Sequence, residues 1–361
     1  MLDEVKLFLK YFEKTYQKRN IEDLEEFMSI FFSKDAYVFG TSTNEIFPTY
    51  EAIKSCIRND WLYWGEMHIN RDQLDVRMIG DDVLVHVLGS VVYTFTDEAE
   101  TDQKFVKLME ILNEDVDIND ENHLSYQHHE MSYILDHYLS KREDQKRINH
   151  VPLSLSFVLT FDNDALKIKS LSYDVLTLDD YPDAIMHPYT PYEDQYNDDM
   201  NTLKIHGKAV KINPFELDLD EDFYIVDTDG SIKYEQASLK DILSKYDELE
   251  VDMTHVLLTE NKDYISFMTI GKVRLNRSEL EIRNSLKSKL SAIIQSDLDD
   301  QSKLFKIRRH ISLTDKICAL APQFVYPLKI MGVISVNQNE YKLKMLKISY
   351  PMDIILEDKY I

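Results

Sequence analysis

The sequence predicts an α+β chain in which one architectural unit is written twice. Apolar residues recur at helical spacing over roughly the first sixty positions, and the period then changes to the alternation of half-buried strands. The same order of elements returns after a stretch rich in Pro and Asp. The length of 361 residues suits about two domains, and a hydrophobic fraction of 44% supports a sizeable core.

Val5, Phe8, Leu9, Phe12 and Tyr16 form the apolar stripe of a first helix, with Asp3, Glu4, Lys10, Glu13 and Lys14 opposite. After a break at Arg19-Asn20, Ile21, Leu24, Phe27, Met28 and Phe31 mark a second helix. Ala36 to Phe39 reads as a short strand and Tyr50 to Ile57 as a third helix, with Ile53 and Ile57 one turn apart. Leu74 to Met78 alternates as a strand does, Gly80-Asp81-Asp82 signals a turn, and Val83 to Phe95 is a long β-rich run. A helix-patterned insert follows, with stripes at Phe105, Leu108, Met109, Leu112 and at Met131, Ile134, Leu135, Tyr138. Strands return at Leu153 to Phe161 and Leu166 to Tyr173. Tyr181 to Asp199 reads as a boundary, giving domains at 1–180 and 218–361 with a linker at 181–217.

The second half repeats the order. Phe223 to Val226 is a strand, Leu239, Ile242 and Leu243 mark a helix, and His255 to Thr259 and Tyr264 to Val273 are strands. A helical insert begins near Leu280, and Leu328 to Val336 with Tyr341 to Tyr350 close the unit as a hairpin. Asp35, Tyr37 and Thr41 match Asp222, Tyr224 and Thr228 at one offset of 187. Gly89 matches Gly271, Pro152 and Val158 match Pro327 and Val333 at 175, and Leu171-Ser172-Tyr173 matches Ile348-Ser349-Tyr350 at 177. Offsets that shrink only across loops are those of a tandem duplication.

Certain residues of the first half resemble the nuclear transport factor 2-like superfamily, and within it the SnoaL-like (polyketide cyclase-like) branch. They are Tyr11 to Asp23, Ser33 to Thr41, Tyr50 to Lys54, Asp60-Trp61 and Val76 to Val83. The family's glycine before the third helix is replaced by Thr49-Tyr50, and the insert from about Asp97 to His150 is atypical. The resemblance implies two cystatin-like cones, each a curved antiparallel sheet wrapped on helices around an apolar cavity. It also implies that an Asp or His and a Tyr inside the cone would serve a catalytic member as acid and base. Members often pair through their sheets, so the duplication suggests an internal pseudo-dimer, with monomer and homodimer as the other states. In the second half no pair of opening helices precedes Phe223.

Lys plus Arg number 41 against 65 Asp plus Glu, a net charge of −24, which repels phosphate backbones and anionic lipid. Neither nucleic acid nor a membrane is an expected partner. Two cysteines and a start without an apolar export core lead to an expected cytoplasmic setting. Trp61, Tyr63, Trp64 and Arg77 are the expected ligand-binding residues, because aromatic walls with a few polar groups make a small-molecule pocket. Trp61 and Trp64 read more readily as core residues closing the cone, and they align roughly with Asp247 and Glu250. His86, His68 and Tyr93 are the candidates for acid–base chemistry, with Tyr63 as another proton donor. His86 lies between Leu84 and Leu88, a setting that also suits a packed core histidine.

His129, Tyr133 and His137 share a helical face, but His129 and His137 are about 12 Å apart along the axis, too far for one metal ion. Asp218-x-Asp220-x-Asp222 fails as a calcium loop, since Phe223 stands where the turn needs Gly. Neither a glycine-rich phosphate loop nor a nucleophile elbow occurs, Cys56 reads as buried packing, and no metal or cofactor is expected. Three functions follow: a non-catalytic cone holding a small, partly apolar molecule, an isomerase, cyclase or dehydratase using a His and a Tyr, and a protein-interaction scaffold.

Overall fold

The computed structural model describes residues 1–41, 45–95, 147–163, 165–176, 202–205, 208–211, 214–234, 236–251, 256–297, 303, 307, 311, 323–337 and 340–351. The helix-patterned insert, the histidines at 128, 129 and 137, the Tyr181–Asp199 boundary and Cys318 lie outside them.

Helix α1 (Leu2–Tyr16) buries Val5, Leu9, Phe12 and Tyr16, the stripe expected from their spacing. A 3-10 turn (Ile21–Asp23), with the Asn20 side chain accepting from the Glu22 amide, leads into α2 (Leu24–Phe31). Strands β1 (Phe32–Phe39) and β2 (Ile46–Phe47) follow, then α3 (Tyr50–Tyr63). Thr49 caps α3 by accepting from the Ala52 amide at 3.2 Å. β3 (Glu66–Ile79), β4 (Asp82–Phe95), β5 (Arg147–Asp162) and β6 (Ala165–Val175) complete the first sheet, ordered β2-β1-β6-β5-β4-β3.

A small hairpin, β7 (Thr202–Ile205) and β8 (Lys208–Lys211), stands apart from both large sheets. The second sheet contains β9 (Asp218–Val226), β10 (Ile232–Lys233), β11 (Glu248–Val251), β12 (Leu257–Glu260), β13 (Tyr264–Asn276), β14 (Gln323–Asn337) and β15 (Glu340–Ser349). Its order is β10-β9-β15-β14-β13-β11, with β12 also on β13. Helices α4 (Gln236–Leu243) and α5 (Glu279–Gln295) belong to this half, and a Ser278–Glu281 capping box starts α5. Both sheets are mixed, with one parallel pair each (β1–β6, β9–β15).

The register shows the duplication residue by residue. Val158 pairs with Ser170 and Leu159 with Ile168 across a bulge. Val333 pairs with Met345 and Ile334 with Leu343 across the same bulge, 175 positions on. Tyr37 pairs with Ser170 as Tyr224 does with Met345, and His86 pairs with Ser156 as Met268 does with Met331. The offsets are therefore 187 for the first strand, 182 for β4 and β13, and 175 for the last two strands. One sequence match needs correction: Leu171-Ser172-Tyr173 falls on Leu346-Lys347-Ile348, not on Ile348-Ser349-Tyr350. Strands on both sides fix this, since Leu171 faces Val38 and Phe157 while Leu346 faces Ile225 and Gly332. A two-residue slip preserves the strand alternation, so the pattern could not detect it.

Each of the two large sheets carries helices against one face, the α+β layering expected from the sequence, and that helix-covered face lines the cone of its half. In the first cone α1, α2 and α3 bury Phe12, Phe27, Phe31 and Ile57 against Val85, Leu155, Phe157 and Leu171 of the sheet. In the second, Ile242 and Tyr246 sit with Ile225, Phe267 and Ile330, joined by Val91, Leu153 and Val175 from the first sheet. The outer faces of the two sheets pack together, Tyr37, Leu84 and Val158 against Tyr224, Met268 and Val333. At the edge of this contact Gly230, at φ 78, turns so close to Leu88 and Leu176 that a Cβ would stand 2.8 and 2.9 Å from them. No helix among the described residues is long and apolar enough to cross a membrane.

Candidate functional site

The buried polar groups of the first cone gather where α1, α3 and β6 meet. Tyr16, the last residue of α1, is fully buried and donates its hydroxyl to Asp60 Oδ2 at 2.8 Å. Asp60 belongs to the last turn of α3 and stays partly exposed, one turn after Cys56, whose Sγ is 4.0 Å from the same oxygen. Arg19, at φ 51, ties the ends of α1 and α3 together by donating to the carbonyls of Trp64 (2.8 Å) and Gly65. α1 is also fastened to β3: Gln17 Nε2 donates to the Met67 carbonyl at 2.7 Å, and Glu13 accepts from the Ile69 amide at 2.8 Å and pairs with Arg71. The Tyr16–Asp60 geometry is thus held from two sides.

Burial pushes the Asp60 carboxyl up to about 7. The Tyr16 hydrogen bond opposes the rise, nearby Glu45 adds to it and Arg19 reduces it. Such a carboxyl exchanges its proton near neutrality. Burial, with Asp60 adding to it, pushes both the Tyr16 and Tyr173 hydroxyls up, so both remain donors. Burial raises the Cys56 thiol as well, which leaves it unreactive. Tyr173, on β6, is buried with its ring edge-on to Trp64 at 5.9 Å. Its hydroxyl and the Trp61 Nε1 are buried with no hydrogen-bond partner among the described residues.

The sequence candidates separate. Trp61 is a core residue, its ring 6.3 Å from Tyr16 and 5.1 Å from Phe27. Trp64 is partly buried and packs against both cones' cores. The side chains of Tyr63 and Tyr93 lie outside what is described. His68 is exposed on β3, 4.0 Å from Glu66 and 3.5 Å from the Gln17 amide nitrogen. Arg77 is paired with Asp75 at 2.8 Å and lies over the Tyr224 and Tyr234 rings at 4.1 and 5.0 Å. It clasps the two halves rather than lining the cone.

His86 sits on the face opposite the cone. Val83, Val85 and Val87 point inward, so Leu84 and His86 point to the second sheet, and on that outer face Nδ1 is 3.0 Å from Ser156 Oγ of the neighbouring β5. Burial, then the Lys347 charge, push the imidazole down to about 3, so it is neutral. Counted back from β3 and β11 at offset 182, Trp61 and Trp64 correspond to Leu243 and Tyr246, not to Asp247 and Glu250. Asp60 then corresponds to Ile242.

Asp60, Tyr16 and Tyr173 were not among the sequence candidates. The available signal was a carboxylate on an otherwise apolar helical stripe, Ile53, Ile57, Asp60 and Trp64. Among the described residues no group of three His, Cys, Asp or Glu side chains could hold a metal ion.

No protein-family model matches the sequence and no curated protein does. Solved structures similar to it each cover about half the chain. A candidate dehydratase of the nuclear transport factor 2-like family from Streptomyces avermitilis is 9% identical, with 49% of this chain and 96% of that one covered and a TM-score of 0.32. A nuclear transport factor 2-like protein of unknown function from Shewanella oneidensis is 8% identical over 48% and 97%, TM-score 0.25. A cystatin-like-fold protein of unknown function from Nostoc punctiforme is 12% identical over 48% and 88%, TM-score 0.28.

Proposed function

We propose that the first cone binds a small, partly apolar molecule, with Asp60 as its polar contact and Tyr173 and Trp61 as donors to a ligand oxygen. The carrying observation is the pair of buried donors, Tyr173 hydroxyl and Trp61 Nε1, without partners among the described residues in a core that also holds a near-neutral carboxyl. Buried donors are rarely left unpaired, since each lost hydrogen bond costs about 1–3 kcal/mol. The second cone has Ile242 at the position of Asp60, which supports a single site in the chain.

Native mass spectrometry of the freshly purified full chain, compared with denaturing conditions, tests this. The expected result is an extra small mass, lost on denaturation and diminished in Tyr173→Phe and Trp64→Ala. A bare chain mass, together with no uptake of small cyclic ketones or hydroxylated aromatics, overturns it.

One observation favours a second reading, an acid–base isomerase, cyclase or dehydratase. Asp60 is poised near neutrality and hydrogen-bonded by Tyr16, so it could take a proton from a bound substrate while Tyr173 donates to the substrate's oxygen. Turnover of the captured molecule with a rate limb near pH 7, absent in Asp60→Asn, supports this reading. Binding without turnover leaves the cone a binding module.

A further inference from the structure

The outer sheet faces meet about an approximate two-fold relation, because positions equivalent in the repeat touch one another. Asp82 and Tyr264 are equivalent at offset 182, and the Tyr264 hydroxyl donates to Asp82 Oδ2 at 2.5 Å. Asp174 and Ser349 are equivalent at offset 175, and Ser349 Oγ donates to Asp174 Oδ1 at 2.5 Å. Away from the axis the contacts are exchanged: Thr259 meets the Tyr37 hydroxyl, and its equivalent Arg77 covers Tyr224, the equivalent of Tyr37. A residue facing its own equivalent, flanked by reciprocal contacts, is the pattern of an isologous interface.

The chemistry at those equivalent positions is nevertheless unlike. At both self-facing positions the first half supplies a carboxylate and the second a hydroxyl. Where the first half has Ser154 and Ser172, the second has Lys329 and Lys347. Both lysines end on Asp174, Lys329 Nζ at 2.7 Å from Oδ1 and Lys347 Nζ on Oδ2, while Ser172 donates to Oδ2 at 2.7 Å. Lys329 also donates to the carbonyls of Tyr173 (2.7 Å) and Gly40, and Lys347 to Ser156 Oγ (3.1 Å) and the Ser154 carbonyl (3.3 Å). The Asp174, Lys329 and Lys347 side chains are only 1–2% exposed. Asp82 is held in addition by Lys169 of its own half (3.1 Å) and Asn261 of the other (3.2 Å).

We infer that these faces are built for unlike pairing: the first half's outer face takes the second half of its own chain and rejects a second copy of itself. Two first halves in this arrangement would set Asp174 against Asp174 in a buried layer, and Asp82 against Asp82 with only Lys169 of each half beside it. Two second halves would bury Lys329 and Lys347 from each side with only Ser349 and Tyr264 to meet them. A buried charge left without its counter-charge is strongly unfavourable, so each like pairing is disfavoured by the same side chains that stabilise the unlike one. The duplicated chain would in this way carry its own dimer partner.

Heavy- and light-isotope full chains, mixed and treated with a lysine-reactive cross-linker, test the pairing. Lys169 and Asn261 both hold Asp82, so Lys262 of the second half is the chain neighbour of a residue that shares a partner with Lys169. The expected product is a Lys169–Lys262 link of a single isotope. A heavy–light Lys169–Lys169 link overturns the inference, and a heavy–light Lys169–Lys262 link overturns the assignment of the partner to the same chain. Charge matching has its own readout. Asp174→Ser should lower the thermal midpoint or prevent folding, and adding Ser349→Asp, which returns a carboxylate to the axis beside Lys347, should recover most of the loss. An unchanged midpoint in Asp174→Ser, or no recovery in the double variant, overturns it.

Discussion

Asp60, on α3 inside the first cone, and His86, on the outer face of β4, bend the pH dependence of stability in opposite directions. The Asp60 carboxyl rises from an ordinary 3.8 to about 7 in the fold. Below about pH 4 it is protonated folded and unfolded alike and contributes nothing; as pH climbs to about 7 the unfolded chain ionises first and stability falls. Asp60→Asn should therefore leave stability near pH 4 unchanged and raise it at pH 8. The gain is on the order of 2 kcal/mol, because partial exposure discounts the full shift. His86 is the reverse case, lowered from 6.5 to about 3. The unfolded chain takes up this proton as pH falls below 6.5, while the folded chain resists it until about 3, so stability is lost across that window. His86→Gln retains a partner for Ser156 and cannot titrate, so its acid-unfolding midpoint should move to lower pH. Urea titrations of both variants across the range check the two signs independently.

Among the paired elements, the two sheets solve one packing problem in two ways. Val85 faces Phe157 on β4 and β5, and at the equivalent place on β13 and β14 Phe267 faces Gly332. Large and small have changed sides, and a Cβ on Gly332 would lie 2.2 Å from the Phe267 ring. Gly332→Ala should destabilise by about 1–3 kcal/mol through overpacking. Exchanging the pair as Phe267→Val with Gly332→Phe should recover much of the cost of either single change, measured by a double-mutant cycle in denaturant. Strands, helices and the repeat itself were legible in the sequence because they follow from periodicity. The start of β3 at Glu66 was not, since Glu66 to Gln73 carries five polar or charged exposed residues and a break in pairing between Ile69 and Leu74. His86 was placed on a strand face correctly, but alternation tells only that there are two faces, and Leu84 and Leu88 would look the same facing a cone or another sheet. Asp60 was overlooked because its role depends on Tyr16, forty-four positions away.

At the scale of the molecule the two cores are joined at more than their contact surface. Trp64 packs against both, and Val91, Leu153 and Val175 of the first sheet are buried in the second core. β6 binds the two regions most tightly: Tyr173 turns its ring into the first cone, its carbonyl accepts from Lys329, and the next residue, Asp174, takes both buried lysines. Unfolding either half would expose the other's apolar residues and leave either a carboxylate or two ammonium groups uncompensated, at a cost of about 3–5 kcal/mol for a broken buried pair. The described residues should accordingly unfold in one cooperative transition, with the calorimetric enthalpy equal to the van't Hoff enthalpy. In Asp174→Asn the carboxylate is gone while Lys329 and Lys347 stay buried, so the contact between halves weakens more than either core. The single endotherm should then broaden or split, with the van't Hoff value falling below the calorimetric one. Burial alone would raise Asp174, but the two lysines outweigh it and hold it below its usual range, so its contribution is present above about pH 4 and is lost as pH falls further. Scans of the native chain at neutral and at strongly acid pH should thus reproduce the change from one transition to two. Two resolved components already present at neutral pH in the unaltered chain would show instead that the halves unfold independently.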